Sequence, residues 1–185
     1  MGIVDELGRK WNRKIDTSGL DEGHLKMTDR PDQIARKNEI VEKWLTEYMK
    51  GGRSVLDISC GAGVFLEVMR HYGNQIYGTS IDMFEFKDSQ DVPHMQLDSN
   101  NVPYPFKDKS FDLVTCFGSM KKYDEAKMQT IFNEFFRIAR KNVLLKLNSI
   151  GWVDQHEDML SNPPAGWKIE VAGDTLWKYT WTSSN

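Results

Sequence analysis

The chain has 185 residues, of which 24 are Lys or Arg and 27 are Asp or Glu, so its formal charge at pH 7 is −3. This length suits one domain and leaves little room for a second, so we expect residues 1–185 to form a single domain. Nucleic-acid-binding domains usually carry a clear excess of basic residues. The near balance of charge therefore argues against a nucleic acid partner and favours a small molecule.

No apolar run approaches the roughly 18 residues that a membrane span needs, and residues 1–6 contain no apolar signal core. The two cysteines, Cys60 and Cys116, are too few for a disulfide framework, and no metal-ligand spacing surrounds them. These observations predict a cytoplasmic protein in a reducing compartment, with no membrane partner and no bound metal. They leave open whether the protein is a monomer or a homodimer.

The first 52 residues divide into a polar arm and a helix. Residues 1–30 are mixed in charge and only weakly periodic, which indicates an arm and not part of a core. Between residues 32 and 50 the apolar side chains fall on one side of a 3.6-residue period, and Gly51-Gly52 supplies a stop, so a helix is predicted. We expect residues 1–52 to act as a lid over a core formed by residues 53–182.

From residue 53 onward, short apolar strands alternate with helices. Strands are predicted, in chain order, at 54–58, 75–79, 94–97, 111–116, 142–147, 167–172 and 175–181, with helices at 64–72, around 83–86, at 125–140 and at 152–160. This alternation predicts a three-layer α/β fold, with a mostly parallel, doubly wound, seven-stranded sheet between helices. Only two residues separate the last two strands, so that pair must be antiparallel.

Ligands of open α/β sheets bind outside the carboxyl ends of the strands, where the strand order reverses. The loops after the first four strands are therefore where a functional site is expected. The loop after the first strand belongs to the segment Val-Leu-Asp-Ile-Ser-Cys-Gly-Ala-Gly at residues 55–63. Glycines there allow a close approach of the backbone to a ligand, and the following helix N-terminus offers N–H groups to a carboxylate.

This segment resembles the first motif of class I, Rossmann-like, S-adenosylmethionine-dependent methyltransferases, in which apolar residues and an acid precede Gly-x-Gly-x-Gly. The resemblance implies that Asp57 anchors the methionine amino group. It also implies that Gly61 and Gly63 lie against the cofactor, together with Cys60, which precedes them. Ser59 stands where the family has its first glycine. If Ser59 takes a positive φ, a small conformational cost follows; otherwise its hydroxyl adds a contact.

The loop after the second strand departs from the family pattern. The family usually has an acid there that accepts hydrogen bonds from both ribose hydroxyls. This sequence has Ser80 at that position, followed by Ile81 and Asp82. Either Ser80 or Asp82 contacts the ribose in the family-based interpretation, and Asp82 is equally well explained as a helix N-cap.

The third and fourth strands supply two further matches. Asp98, followed by Ser99, resembles the acid that accepts a hydrogen bond from the adenine amino group, although a surface Asx turn would explain it as well. Phe117 and Gly118 are expected to line the adenosine or methyl side of the pocket. Because the first and fourth strands are neighbours in this family, Cys60 and Cys116 are expected to lie close together as reduced thiols.

The resemblance implies a methyltransferase that transfers a methyl group from S-adenosylmethionine by in-line displacement to an oxygen or nitrogen of a small molecule, leaving S-adenosylhomocysteine. Candidate catalytic residues are Tyr123 and His24, the latter able to act as a base near neutral pH but also explicable as a solvated surface side chain. Whether the acceptor needs a general base stays open.

Two other functions are considered. Ser59 and Ser80 alter two usual cofactor positions, so a regulatory protein that binds the cofactor without transferring a methyl group is one alternative. An NAD-dependent oxidoreductase is the other, and it is disfavoured because Leu66 stands where the Gly-x-Gly-x-x-Gly fingerprint requires its last glycine.

Overall fold

A computed structural model describes residues 2–10, 30–61, 63–80, 93–173 and 175–182. Its helices are α1 (Ile3–Lys10), α2 (Arg30–Trp44), α3 (Val64–His71), α4 (Met128–Ile138), α5 (Ile150–Gln155) and α6 (Glu157–Ser161). Its strands are β1 (Ser54–Ile58), β2 (Gln75–Ser80), β3 (His94–Gln96), β4 (Phe111–Phe117), β5 (Ala139–Lys146), β6 (Trp167–Ala172) and β7 (Leu176–Trp181). Short 3-10 helices cover Thr46–Lys50, Met120–Lys122 and Glu125–Lys127.

The seven strands form one sheet in the order β3-β2-β1-β4-β5-β7-β6. Strands β1 to β5 are paired in parallel, and β7 runs antiparallel to both of its neighbours, β5 and β6. This confirms the predicted mostly parallel sheet with an antiparallel C-terminal pair. The order reverses at β1, where Ile58 pairs with Thr79 of β2 on one side and with Cys116 of β4 on the other. The carboxyl ends of β1 and β4 therefore meet at the switch point of the sheet.

Helices cover both faces of the sheet and create two apolar layers. One layer joins the sheet to α4, where Phe132 and Phe135 are fully buried. The other joins it to α1, α2 and α3 and contains Ile34 of α2. Successive side chains of a strand point to opposite faces. Because Val55 of β1 faces the α2 and α3 layer, Asp57 faces the same side.

The amino-terminal residues differ from the expected arm. Residues 3–10 form helix α1, which packs on α2 and α3, and Leu7 is 2% exposed within the core. The apolar positions of this short helix are too few for the sequence pattern to indicate it. Residues 11–29, with the candidate base His24, lie outside the described residues, as does the helix expected around residues 83–86.

Two of the predicted helices end earlier than expected. The helix expected to run to residue 50 ends at Trp44 and is followed by a 3-10 helix, in which Tyr48 turns inward. Its hydroxyl lies 2.9 Å from both the Asp112 carbonyl oxygen and Asn142 Oδ1, two acceptors that share its one proton. The helix expected to run to residue 140 ends at Ile138, and β5 begins at Ala139. Both of those residues are fully buried, so the apolar pattern continues across the boundary and does not mark it.

Asp112 is the second residue of β4 and lies at the end of the sheet opposite the switch point. The Ser54 backbone N–H and hydroxyl donate to Asp112 Oδ2 at 3.1 and 3.2 Å, and Arg140 contacts Oδ1 at 3.1 Å. Burial alone would raise the pKa of Asp112, but these partners hold it below its ordinary value. None of the described helices is long and apolar enough to cross a bilayer.

Candidate functional site

A cavity of about 420 Å³ lies at the carboxyl ends of β1, β4 and β5, beneath α2. This volume is within the range of small-molecule sites, about 300 to 1,000 Å³. Helix α2 contributes Gln33, Lys37 and Ile40, which the helical period places on one face. The opposite wall includes Asp57 of β1 and Phe117 of β4. The cavity is therefore at the switch point, where the sequence predicted a site.

Asp57 is a buried carboxylate in this cavity, 2% exposed. The Thr115 hydroxyl donates to Asp57 Oδ1 at 2.6 Å. Burial raises the pKa of Asp57 to about 7, although this hydrogen bond and the positive charge of Lys37 act in the opposite direction. A cationic group bound beside Asp57 would favour the charged carboxylate, so the position suits an ammonium ligand.

Lys37 extends from α2 to the end of β4. Its amine lies 3.6 Å from the centroid of the Phe117 ring, a cation–π contact. The pKa of Lys37 is lowered to about 8, chiefly by burial and also by repulsion from Lys146. Attraction by Asp57 raises the pKa, but by less than burial lowers it. The cavity thus holds a cation and a carboxylate close to the pH at which each changes charge.

The loop after β1 has an open backbone. Positive φ angles occur at Ser59 (56°), Gly61 (51°) and Gly63 (68°). Apart from Gly61 and its two chain neighbours, no atom in the described part of the chain lies within 4 Å of the position where a Gly61 Cβ would stand. A ligand can therefore approach the backbone of this loop closely.

Ser59 has a positive φ of 56°, so it adopts the left-handed conformation for which a small conformational cost was expected. Its hydroxyl lies 2.9 Å from Ser99 Oγ and 2.8 Å from the Tyr123 hydroxyl, so it joins three chain segments. Two hydrogen bonds of this kind offset a backbone cost of about 1 to 2 kcal/mol. The serine at this glycine position is consequently part of a hydroxyl network at the ends of β1 and β4.

Tyr123, predicted as catalytic, is brought to the edge of the site. Besides Ser59, its hydroxyl contacts Cys116 Sγ at 3.3 Å. Burial raises the pKa of Tyr123 well above its ordinary value, and the neighbouring Cys116 raises it further. The hydroxyl therefore stays protonated near neutral pH and acts here through hydrogen bonds. Burial also raises the pKa of Cys116 to about 12, and Cys116 and Cys60 are both free thiols, as expected.

Three other predicted residues, Phe117, Gly118 and Cys60, shape the same region. The rings of Phe117 and Phe65 pack with centroids 4.7 Å apart, which gives the cavity an apolar wall. Gly118 has a φ of 75°, and a Cβ there would collide with the Asn148 amide. Cys60 lines the cavity, and its thiol leaves no space for a Cβ on Gly78 of β2, 2.8 Å away.

The residues predicted for the adenosine end are only partly described. Ser99 is fully buried, and Ser80 ends β2, its carbonyl accepting from Leu97 N–H at 2.9 Å. Asp98 Oδ1 accepts from the Asn100 backbone N–H at 2.9 Å, which is the Asx turn considered as the alternative for this residue. Ile81 and Asp82 lie outside the described residues.

Two lysines of the cavity were not predicted from the sequence. Lys37 belongs to a helix rich in charged residues, and Lys146 ends β5. Nothing in their local patterns distinguishes them from solvated charges. Only the docking of α2 and the pairing of Lys146 with Phe117 bring them to the cavity.

The family described as "Methyltransferase domain" matches residues 56–146, about half of the chain, from β1 to the end of β5. The fold is that of class I, Rossmann-like, S-adenosylmethionine-dependent methyltransferases, and residues 56–146 belong to this methyltransferase family. S-Adenosylmethionine is the cofactor of the family. No curated protein shows significant sequence similarity to the chain.

Solved structures share the fold at low identity. A Methanococcus maripaludis protein proposed to be an S-adenosyl-L-methionine-dependent methyltransferase superposes with a TM-score of 0.69 at 15% identity, covering 94% of this chain and 96% of its own. Magnesium protoporphyrin IX methyltransferase from Synechocystis, with bound S-adenosylmethionine, has a TM-score of 0.64 at 14% identity, covering 95% and 91%. The [4+2]-cyclase SpnF has a TM-score of 0.58 at 19% identity, covering 75% and 58%. The fold thus also occurs in a protein described as a cyclase.

Proposed function

We propose that the chain binds S-adenosylmethionine in this cavity and transfers the methyl group to an oxygen or nitrogen of a small molecule. The observation that carries the proposal is the pairing of a buried carboxylate, Asp57, with a desolvated amine, Lys37, in one cavity at the switch point of the sheet. An amino acid end carries one ammonium and one carboxylate, which these two side chains match in charge. When bound, S-adenosylmethionine supplies an electrophilic methyl group on a sulfonium.

The described residues fit the cofactor. Asp57 would hold the ammonium group, Lys37 the carboxylate, and the open backbone at Gly61 would lie against the ligand. The remaining cofactor contacts stay predictions from the family pattern: Ser59, Cys60, Gly63, Ser80, Ile81, Asp82, Asp98, Ser99, Phe117 and Gly118. This fit concerns the ammonium and carboxylate groups of the cofactor. Ile81 and Asp82, which are predicted for its adenosine end, lie outside the described residues.

The side chains of the cavity contribute mainly by positioning. In-line displacement depends on the alignment of donor and acceptor, which can supply roughly 7 to 11 kcal/mol of the barrier reduction. The packed rings of Phe65 and Phe117 give the cavity one apolar wall. Tyr123, kept protonated, holds Ser59 in the loop after β1. We propose Tyr123 as a positioning residue, and the role of His24 as a base remains a prediction.

A second candidate function is cofactor binding without methyl transfer. It is favoured by the hydroxyl network, because Ser59 bonds with Ser99 and Tyr123 where the family has a glycine. A fold that also occurs in a protein described as a cyclase is compatible with this alternative.

The test uses S-adenosylmethionine with a labelled methyl group and a panel of phenols, alcohols and amines. We expect the label to appear on at least one acceptor, with an equal amount of S-adenosylhomocysteine formed. The Asp57→Asn variant is expected to form at least about tenfold less product, because the ammonium loses a charged partner. Cofactor binding without product on any acceptor would favour the second candidate. Binding of NAD in its place would support the oxidoreductase.

A further inference from the structure

The strand register sets the order of charges across the cavity wall. Asp57 of β1 pairs with Thr115 of β4, and Thr115 pairs with Leu144 of β5. Lys146 lies two residues beyond Leu144 and pairs with Phe117, the residue on whose ring the Lys37 amine lies. Strands are spaced by about 4.8 Å. From β1 to β5 the wall therefore carries a carboxylate, then the Lys37 amine above β4, and then a second amine.

The cavity has an excess of positive charge. Lys37 and Lys146 repel each other, which contributes to the lowered pKa of Lys37. Within the described ranges, neither lysine forms an ion pair, and the Lys146 amine donates to the neutral Thr175 hydroxyl. Arg36, also at the cavity, is already paired with Asp32 at 2.6 Å. The cavity wall therefore carries two amines, those of Lys37 and Lys146, and one carboxylate, that of Asp57.

A bound cofactor would not remove this imbalance. If Asp57 and Lys37 bind the ammonium and carboxylate of the amino acid end, that end is balanced, and the sulfonium adds a further positive charge. Lys146, on the far side of Lys37 from Asp57, is then left without an anionic partner. Opposite charges attract strongly in a partly desolvated site.

We propose that the methyl acceptor is a small organic anion and that Lys146 binds its anionic group. This inference rests on the proposed function, since it assigns the amino acid end of the cofactor to Asp57 and Lys37. Asn148 and Ser119 also line this part of the cavity and offer neutral hydrogen-bonding groups beside the amine. The Thr175 hydroxyl holds the Lys146 side chain in place, so the amine is oriented before a ligand arrives.

The test measures binding to protein saturated with S-adenosylhomocysteine, which keeps the amino acid end in place. The probes are matched pairs: aliphatic and aromatic carboxylates with their amides, and phosphomonoesters with their parent alcohols. We expect at least one anion to bind at least about tenfold more tightly than its neutral counterpart. Lys146→Met is expected to abolish this preference and Lys146→Arg to retain it. Lys43→Met, an exposed lysine on α2 outside the cavity, serves as the matched control.

Retained binding of S-adenosylhomocysteine by Lys146→Met shows that the variant is folded and separates the two proposals. If the wild-type protein binds S-adenosylhomocysteine but prefers no anion in any pair, the acceptor assignment is overturned and the proposed function stands. The same holds if Lys146→Met weakens S-adenosylhomocysteine but not 5′-methylthioadenosine, because Lys146 would then serve the cofactor carboxylate. Absence of S-adenosylhomocysteine binding by the wild-type protein overturns both.

Discussion

The Lys37 amine lies 3.6 Å from the centroid of the Phe117 ring, so a helix that precedes the first strand places a cation on the end of β4. Asp57 contributes to the electrostatics of this amine more than any other charged group. The contact thus joins the amino-terminal region to the candidate site. Helix α2 therefore contributes a charged side chain to the cavity as well as covering it.

The first prediction concerns Asp57→Asn and stability. The pKa of Asp57 is about 7 in the folded chain, above the ordinary value of 3.8. The folded state therefore binds more protons between these pH values, and stability falls as the pH rises through that range. Asp57→Asn removes the fall and is expected to raise the free energy of unfolding at pH 8 by up to about 4 kcal/mol, since each pKa unit corresponds to about 1.4 kcal/mol. Urea denaturation at pH 5 and pH 8 measures the effect.

Asp112→Asn is the matched control for that experiment. Its carboxylate has a lowered pKa, so the stability it contributes is present above its unfolded pKa and lost in acid as the pH falls through the folded value. The substitution is expected to destabilise the protein at pH 8 by about 1 kcal/mol or more. Equal effects of the two substitutions at pH 8 would contradict the conclusion that the buried Asp57 carboxylate destabilises the folded chain at this pH.

The second prediction concerns the pH dependence of S-adenosylhomocysteine binding. The groups facing Asp57 are Thr115 and Lys37, and those facing Lys37 include Lys146 and Cys116. Affinity is expected to rise through a midpoint near pH 7 as Asp57 loses its proton, and to fall again above about pH 8 as Lys37 loses its proton. Lys37→Met removes a charge that lowers the pKa of Asp57, so the midpoint is expected to move to higher pH. Calorimetry across this range measures the midpoint, and Lys43→Met should leave it unchanged.

The third prediction compares two substitutions at Ser59. Ser59→Ala keeps the positive φ but loses the contacts with Ser99 and Tyr123, and it is expected to destabilise the protein by about 1 to 2 kcal/mol. Ser59→Gly also removes the conformational cost, so its stability should stay within about 1 kcal/mol of the wild type. Thermal and urea unfolding compare the pair. A glycine variant as unstable as the alanine variant would show that backbone strain at residue 59 is negligible.

The fourth prediction separates a positioning role of Tyr123 from a phenolate base. Because the hydroxyl remains protonated near neutral pH, Tyr123→Phe is expected to leave the pH profile of methyl transfer unchanged in shape. The rate should decrease only modestly, about tenfold or less, through the loss of the contact that holds Ser59. If the wild-type rate rises at alkaline pH and this rise is lost in Tyr123→Phe, Tyr123 would instead be identified as the base.

Much of the fold could be predicted because its determinants are local. The apolar runs of β1 and β4 and the two-residue separation of the last strands indicated a mostly parallel sheet with an antiparallel end. The boundary at Ala139 could not be predicted, since Ile138 and Ala139 are both buried and the apolar pattern has no break.

Some residues of the candidate site could be predicted from a local motif, and others are brought to the site only by the fold. Asp57 and the loop around Gly61 lie in one contiguous motif, so they could be found from the sequence. Lys37 and Lys146 enter the cavity only through helix docking and strand pairing, which no local pattern records. The contact of Tyr123 with Ser59 likewise depends on the path of the chain after β4.

The most direct test of the central claim is calorimetric titration of S-adenosylhomocysteine into the wild-type protein and into Asp57→Asn at pH 7.5. We expect the wild-type chain to bind one molecule per protein chain, and Asp57→Asn, although more stable, to bind at least about tenfold more weakly. Either no binding by the wild-type protein at millimolar ligand, or equal affinity in the two proteins, would contradict the cavity at Asp57 as the cofactor site.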